Sequence, residues 1–275
     1  MDYKKDFNIK PKLIRKNGVV LFTDGTNDVM PNERACLAYG YTYNDGICKA
    51  YVPSKITEDK RSNESTKDLG SNKVKKSQAT SVVGQDNLVE GAKNTLVVGD
   101  KHVVEADVSN AAVFGGMGKA THTGEFVLGG GGYQSEAGLL QYSILNLATK
   151  TIDASSTHLT IQGDGERGNQ ITLPANSVTT YEIWLQVLVT GGSSGTPGEY
   201  YSHLYQGTIR TTNDGVLTHN AITSTELGHT IDVEVSIDTS TASTLKIAVV
   251  GIASMNISWY AVVKLHINKT NAAEF

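Results

Sequence analysis

The feature that most constrains this 275-residue chain is a glycine that returns at an almost fixed interval. Val82-Val83-Gly84, Val97-Val98-Gly99, Val113-Phe114-Gly115 and Val127-Leu128-Gly129 follow one another at intervals of 15, 16 and 14 residues. Each copy has Val two places before the glycine and a large apolar residue one place before it. Polar stretches such as Gln85-Asp86-Asn87 and Asp100-Lys101-His102 lie between the copies, with short apolar pairs, Leu88-Val89 and Val103-Val104, after them. Such an interval holds two short strands and two tight turns, the unit of a β-solenoid. Glycines 84, 99, 115 and 129 then serve as repeat turns, where positive φ or close backbone approach is needed. One coil cannot bury its apolar face alone, so coils stack on one another or pack on other chains. Val82, Val97, Val113 and Val127, together with Val83, Val98, Phe114 and Leu128, are therefore expected to fill the core of the roll or a seam between chains.

After a transition around Gln141 to Leu147, the pattern changes to long alternating strands. Tyr181, Ile183, Leu185, Val187 and Val189 share one face. Val233, Val235 and Ile237 alternate with Asp232, Glu234 and Ser236. Leu245, Ile247 and Val249 alternate, as do Ile257, Trp259, Ala261, Val263, Leu265 and Ile267. Period-two patterns separated by turns such as Asn213-Asp214-Gly215 predict an antiparallel β-sandwich over 150–275, with no helix there. With 28 Gly but only 5 Pro, the chain is neither collagenous nor a Pro-rich linker, and short strands with tight turns fit it.

Ahead of the repeat, residues 1–55 read as a compact unit. Val19-Val20-Leu21-Phe22 predicts a strand closed by Asp24-Gly25-Thr26-Asn27. The runs Cys36 to Tyr43 and Ile47 to Tyr51, flanking Asn44-Asp45-Gly46, predict a β-hairpin. Residues 56–80 hold no aromatic from Thr57 onward and read as a polar linker or stalk. The domain expectation is thus 1–55, 56–80, a glycine-repeat roll and transition over 81–149, and a sandwich over 150–275. Residues 1–80 carry 15 Lys+Arg against 10 Asp+Glu, and 81–275 carry 9 against 18, which suggests different partners for the two ends. Cys36 and Cys48 match neither a zinc pair nor a redox motif. Pairing requires a hairpin that brings their Cα atoms to about 4.4–6.8 Å, and the expectation taken is two reduced structural thiols.

Several stretches resemble phage virion fibre proteins of the tail- or head-fibre type. The glycine repeat resembles the β-roll heads of trimeric bacterial adhesins and similar phage stalks. The region from Leu173-Pro174-Ala175-Asn176-Ser177 to Ile257-Ser258-Trp259-Tyr260-Ala261-Val262-Val263 is similar to a C-terminal sandwich of phage fibres. The runs Thr123 to Gly131 and Ala35 to Tyr43 resemble such proteins too. The resemblance implies an all-β homotrimer: an N-terminal attachment unit on other virion proteins, a short trimeric roll stalk, and a distal sandwich for adsorption to a host glycan or protein receptor. It implies localisation to a virion assembled in host cytoplasm. A head or collar decoration fibre with an assembly role is the alternative.

Motifs for chemistry are sparse. Gly163-Asp164-Gly165-Glu166-Arg167-Gly168 lacks the Lys and the following helix of a phosphate loop and reads as a turn. The seven His are not spaced as a metal set, so His102 and His122 are expected to be solvated, and no metal or cofactor is expected. Asp164 and Glu166 are the carboxylates considered for a glycan depolymerase. Lys73-Val74-Lys75-Lys76 has no aromatic interleaving, so nucleic acid is not an expected partner. Met1 to Asp6 is charged with no apolar run after it, and no segment reaches the roughly 18 apolar residues of a membrane span. The expectation is a structural, non-enzymatic protein without catalytic residues.

Overall fold

The structure is a computed structural model that describes residues 9–15, 17–44, 46–50, 67–69, 71–132, 136–163, 169–220 and 222–271. The chain divides into two compact units, Met1–Arg61 and Ser62–Phe275.

In the first unit, β1 (Lys10–Ile14), β2 (Val20–Thr23) and β3 (Asp28–Val29) form an antiparallel sheet. Helix α1 (Glu33–Ala38) follows, and then β4 (Thr42–Asn44) pairs with β5 (Ile47–Lys49) as a hairpin. The hairpin matches expectation, but the run from Cys36 does not start as a strand. Asn32 caps the helix, its Oδ1 accepting the Ala35 N–H at 2.8 Å, and Glu33 adds an acidic first turn. Pro31-Asn32-Glu33 is the start signal, and it outweighs the strand reading of the apolar run behind it. A second correction concerns the cysteines. Cys36 on α1 and Cys48 on β5 are joined by a disulfide, with Cα atoms 5.7 Å apart. The helix places Cys36 over the hairpin, and both cysteines are buried with Val20 and Phe22 in this unit's core.

The second unit begins with the roll. One sheet stacks β6 (Lys67–Leu69), β8 (Ser81–Val83), β10 (Leu96–Asp100), β12 (Ala112–Gly116) and β14 (Phe126–Gly130) in parallel. The opposite sheet stacks β7 (Lys73–Lys75), β9 (Leu88–Glu90), β11 (Val103–Val104) and β13 (Lys119–Ala120), also in parallel. Val82, Val97, Val113 and Val127 fall in one register and are fully buried. They meet Val89, Val104 and Ala120 from the opposite sheet to fill the coil interior. The coil ladder reaches back past the first Val-x-Gly copy, because β6 and β7 pair in register with β8 and β9.

The glycine column has a direct steric cause. Gly84 and Gly99 sit at φ +125° and +129°, and a Cβ on either would collide with the carbonyl oxygen of the next glycine in the column, Gly99 or Gly115. Inside the same corner runs a polar ladder. Asn72 Oδ1 accepts the Asn87 backbone N–H at 3.0 Å, Asn87 Oδ1 accepts that of His102 at 2.9 Å, and His102 Nδ1 accepts that of Gly118 at 2.9 Å. The buried backbone donors of each turn are thereby satisfied by the preceding coil.

The sandwich grows directly from the roll. β15 (Leu140–Thr151) pairs antiparallel with β14 and then with β24 (Asn256–Lys269), so the roll sheet continues as an eleven-stranded sheet among the described residues. β18 (Ser177–Gly191), β19 (Tyr200–Thr211), β20 (Leu217–His219) and β21 (Thr223–His229) complete it. A smaller sheet packs across it: β16 (Ser156–His158) and β17 (Ile171–Thr172) on one side of β23 (Thr244–Val250), and β22 (Glu234–Asp238) on the other. The core between them holds the alternating residues the sequence singles out, from Tyr181 to Val189, Leu245 to Val249 and Ile257 to Ile267. Trp259 is buried at its centre and donates its Nε1–H to Thr151 Oγ1 at 2.9 Å.

Candidate functional site

The two outward faces of the roll differ in chemistry. On the short sheet they carry Lys73, Lys75, Glu90 and Lys119, mixed with Leu88 and Val103. On the long sheet two outward columns run across the coils from β8 to β14, Ser81–Leu96–Ala112–Phe126 and Val83–Val98–Phe114–Leu128, and neither contains a charge over that span, while Lys67 of β6 is the register partner of Ser81. Leu128 is 48% exposed and Val83 41%. Phe114 and Phe126 pack ring to ring at 5.5 Å on this face. The eight repeat residues are thus split: the Val two places before each glycine points into the roll, and the residue one place before it points out. Alternation along a three-residue strand permits nothing else.

The apolar columns continue into the sandwich. Ile144 lies opposite Phe126, and Tyr142 opposite Leu128, with His266 next across β24. The Tyr142 and His266 rings are 4.8 Å apart. An open groove of about 670 Å³ crosses the sheet here, between Leu128, Tyr142, Val178, Thr180, His266 and Asn268. Farther along, Trp184 is exposed with the Lys264 ammonium 5.5 Å from its ring centre, and Lys264 pairs with Glu182 at 3.5 Å. Exposed apolar surface over several adjacent strands is a common mark of interaction faces in proteins.

His102 and His122 are not solvated, contrary to expectation; both are buried. His102 ends the polar ladder, where burial pushes its imidazole below the ordinary value against the pull of its hydrogen bonds to Val98, Gly118 and Gly115. His102 lies 15 residues after Asn87, itself 15 after Asn72, and that common interval was the available signal. His122 sits in the last corner of the roll and bonds Thr172 of β17. Those residues are 50 positions apart, and nothing local in the sequence joins them. Lys73 and Lys75 are exposed on the short roll sheet, while Val74 between them packs on the roll core. Asp164 and Glu166 lie outside the described residues.

No protein-family profile and no curated protein matched the sequence. Solved structures did. Tailspike protein gp49 from Acinetobacter baumannii bacteriophage Fri1, a capsular polysaccharide depolymerase, aligns at a TM-score of 0.27 and 12% identity over 74% of this chain and 37% of its own. The tailspike of Acinetobacter baumannii phage AM24 aligns at 0.24 and 10%, over 68% of this chain and 34% of its own. That of Acinetobacter phage vB_ApiP_P1 aligns at 0.23 and 9%, over 72% and 49%. The chain therefore spans less than half the length of each. At these TM-scores no residue correspondence is drawn. All three proteins are phage tailspikes. The non-enzyme expectation is corrected by the same comparison: the first of them is a depolymerase, and a shortage of sequence motifs is no ground for excluding catalysis.

Proposed function

We propose that this chain is a phage virion fibre protein that acts as a homotrimer, with residues 1–55 held by other virion proteins and the sandwich turned toward the host surface. The uncharged outward face of the roll carries this reading. The two sheets meet the same solvent, yet from β8 to β14 the two outward columns of the long sheet carry no charge, and a face kept free of charge over those four successive coils is suited to burial against further copies of itself. The Cys36–Cys48 disulfide supports a working life outside a reducing cytosol.

Sedimentation of the full chain tests the assembly. The expected species contains three 29.4 kDa chains. Leu128→Glu or Phe114→Glu, on the uncharged face, shifts it to the single chain, while Leu88→Glu on the charged face does not. A wild-type monomer overturns the trimer. Binding of the full chain to host cells, with and without enzymatic removal of surface polysaccharide, tests adsorption. The same incubation reads glycan chain length, and shortening assigns depolymerisation to the fibre; absence of binding in every arm leaves assembly as its role.

A further inference from the structure

We propose that the chain carries an ester-cleaving site where the roll meets the sandwich, with the Thr172 hydroxyl as nucleophile, His122 as its base and Glu125 as the carboxylate that positions His122. The inference does not depend on trimer formation. Thr172 Oγ1 lies 2.8 Å from His122 Nε2, which also accepts the Thr172 backbone N–H at 2.9 Å. Two donors on Nε2 place the ring proton on Nδ1. That atom faces Thr121 Oγ1 at 2.9 Å and Glu125 Oε2 at 3.4 Å. Glu125 Oε2 in turn accepts the backbone N–H groups of Thr121 and His122 at 2.7 and 3.0 Å. Burial pushes the Glu125 carboxyl up, but the hydrogen bond and charge of His122, with the donors from Thr121 and Ser143, outweigh it and hold the carboxyl below its ordinary value.

The order is an exposed hydroxyl, a buried imidazole and a buried carboxylate. Nucleophilic acyl transfer uses that sequence of groups on several unrelated folds. Clamping the roll to the sandwich would need only the backbone N–H of residue 172, which any side chain provides; an outward hydroxyl on the same nitrogen is surplus to it.

These groups open into a cavity of about 210 Å³. Leu173, Pro174, Leu265 and Ile267 form an apolar side, and the polar side includes Gln141, Glu105, and Lys119 and Lys269, which pair with Glu105 at 2.6 Å and Glu136 at 3.3 Å. A space of that size with one apolar side takes a short acyl group, and the polar side takes a hydroxyl-rich alcohol. The substrate class is a short-chain ester of a polyol, such as an O-acetylated sugar. Thr172 Oγ bonds to the ester carbonyl carbon as its proton passes to His122 Nε2, which gives up the hydrogen bond from the Thr172 backbone N–H as it takes the proton. The carbon–oxygen bond to the alcohol then breaks, and the departing oxygen takes that proton. Water, deprotonated by His122, cleaves the acyl-threonine, releases the carboxylic acid and restores Thr172.

The test uses the full chain with 4-nitrophenyl acetate. Nitrophenolate release is followed, and the quenched protein is digested and weighed. The expected result is an acetyl increment on the peptide holding Thr172. Thr172→Ser keeps release within about tenfold, while the isosteric Thr172→Val loses at least about 100-fold with an unchanged melting temperature. Glu125→Gln slows acylation and displaces the pH–rate profile. Acetate release from an O-acetylated polysaccharide then extends the result to a sugar ester. No acetyl increment at position 172 in either the wild type or Thr172→Ser overturns the proposal, as does full release by a folded Thr172→Val.

Discussion

Replacing Gly99 by alanine tests the steric basis of the repeat. Gly99 sits at φ +129°, where L side chains are strained whatever the space. Its new Cβ would collide with the Gly115 carbonyl oxygen and lie 2.6 Å from His102 Nε2. Backbone strain of this kind costs about 1–3 kcal/mol, and forcing an extra carbon into a packed site about as much again. The two together come to about 2–6 kcal/mol, and a central value of about 4 kcal/mol corresponds to a fall of roughly 8–16 °C in melting midpoint for a chain of this size. Gly116 is the control: it lies in the neighbouring strand β12, next to the Gly115 that Gly99 pairs with, has no positive φ, and a Cβ there meets nothing within 4 Å. Gly116→Ala should stay within about 0.5 kcal/mol of wild type. Calorimetry on both variants decides the matter. If Gly99→Ala melts with the wild type, or if both variants fall equally, the carbonyl column is not what demands glycine.

Acid should destabilise the second unit in two stages. The His102 imidazole is held below its ordinary 6.5, so the unfolded chain takes up that proton first and stability falls as pH drops below 6.5. Glu125 is held below its ordinary 4.5, and a second loss begins as pH falls below 4.5. His219, which burial also holds below 6.5, shares the first stage, so His102→Asn, which places the ladder residue of the preceding coils at that position, should shrink the first stage and leave the second; denaturant midpoints measured between pH 8 and 3 show whether it does. Reducing Cys36–Cys48, a pair 12 residues apart, should cost the first unit about 3 kcal/mol. Calorimetry with and without reductant should then move one transition and leave that of Ser62–Phe275 in place; a shift of both transitions would refute the assignment.

Periodicity was the legible part of this fold. The interval between glycines 84, 99, 115 and 129 is the coil, and the alternation in Tyr181–Val189 and Ile257–Ile267 is the sandwich core. Both follow from one repeated backbone geometry, so they survive in a single sequence. What stayed hidden depends on single contacts between distant segments. Whether Cys36 lies on a helix or a strand turned on one cap, Asn32, which an apolar run overshadowed. His102 and His122 read as surface residues because histidine is polar, yet one replaces asparagine inside a ladder and the other bonds a strand 50 residues away. The sequence pattern also left open which apolar column faced inward, because a Val-Val-Gly strand offers one to each side. Only the closing of the coil assigned Val82 to the interior and Val83 to the outside.

The register of the parallel coils has an evolutionary consequence. Each coil bonds only to its neighbours, through strands and through a ladder whose asparagines are interchangeable from one coil to the next. A duplication of some 15 codons would therefore insert one more rung and leave every other contact intact. The roll would lengthen by about 4.8 Å, the spacing of hydrogen-bonded strands. Reach can thus be lengthened or trimmed in fixed increments by unequal recombination, while the modules before and after the roll diverge at their own rates.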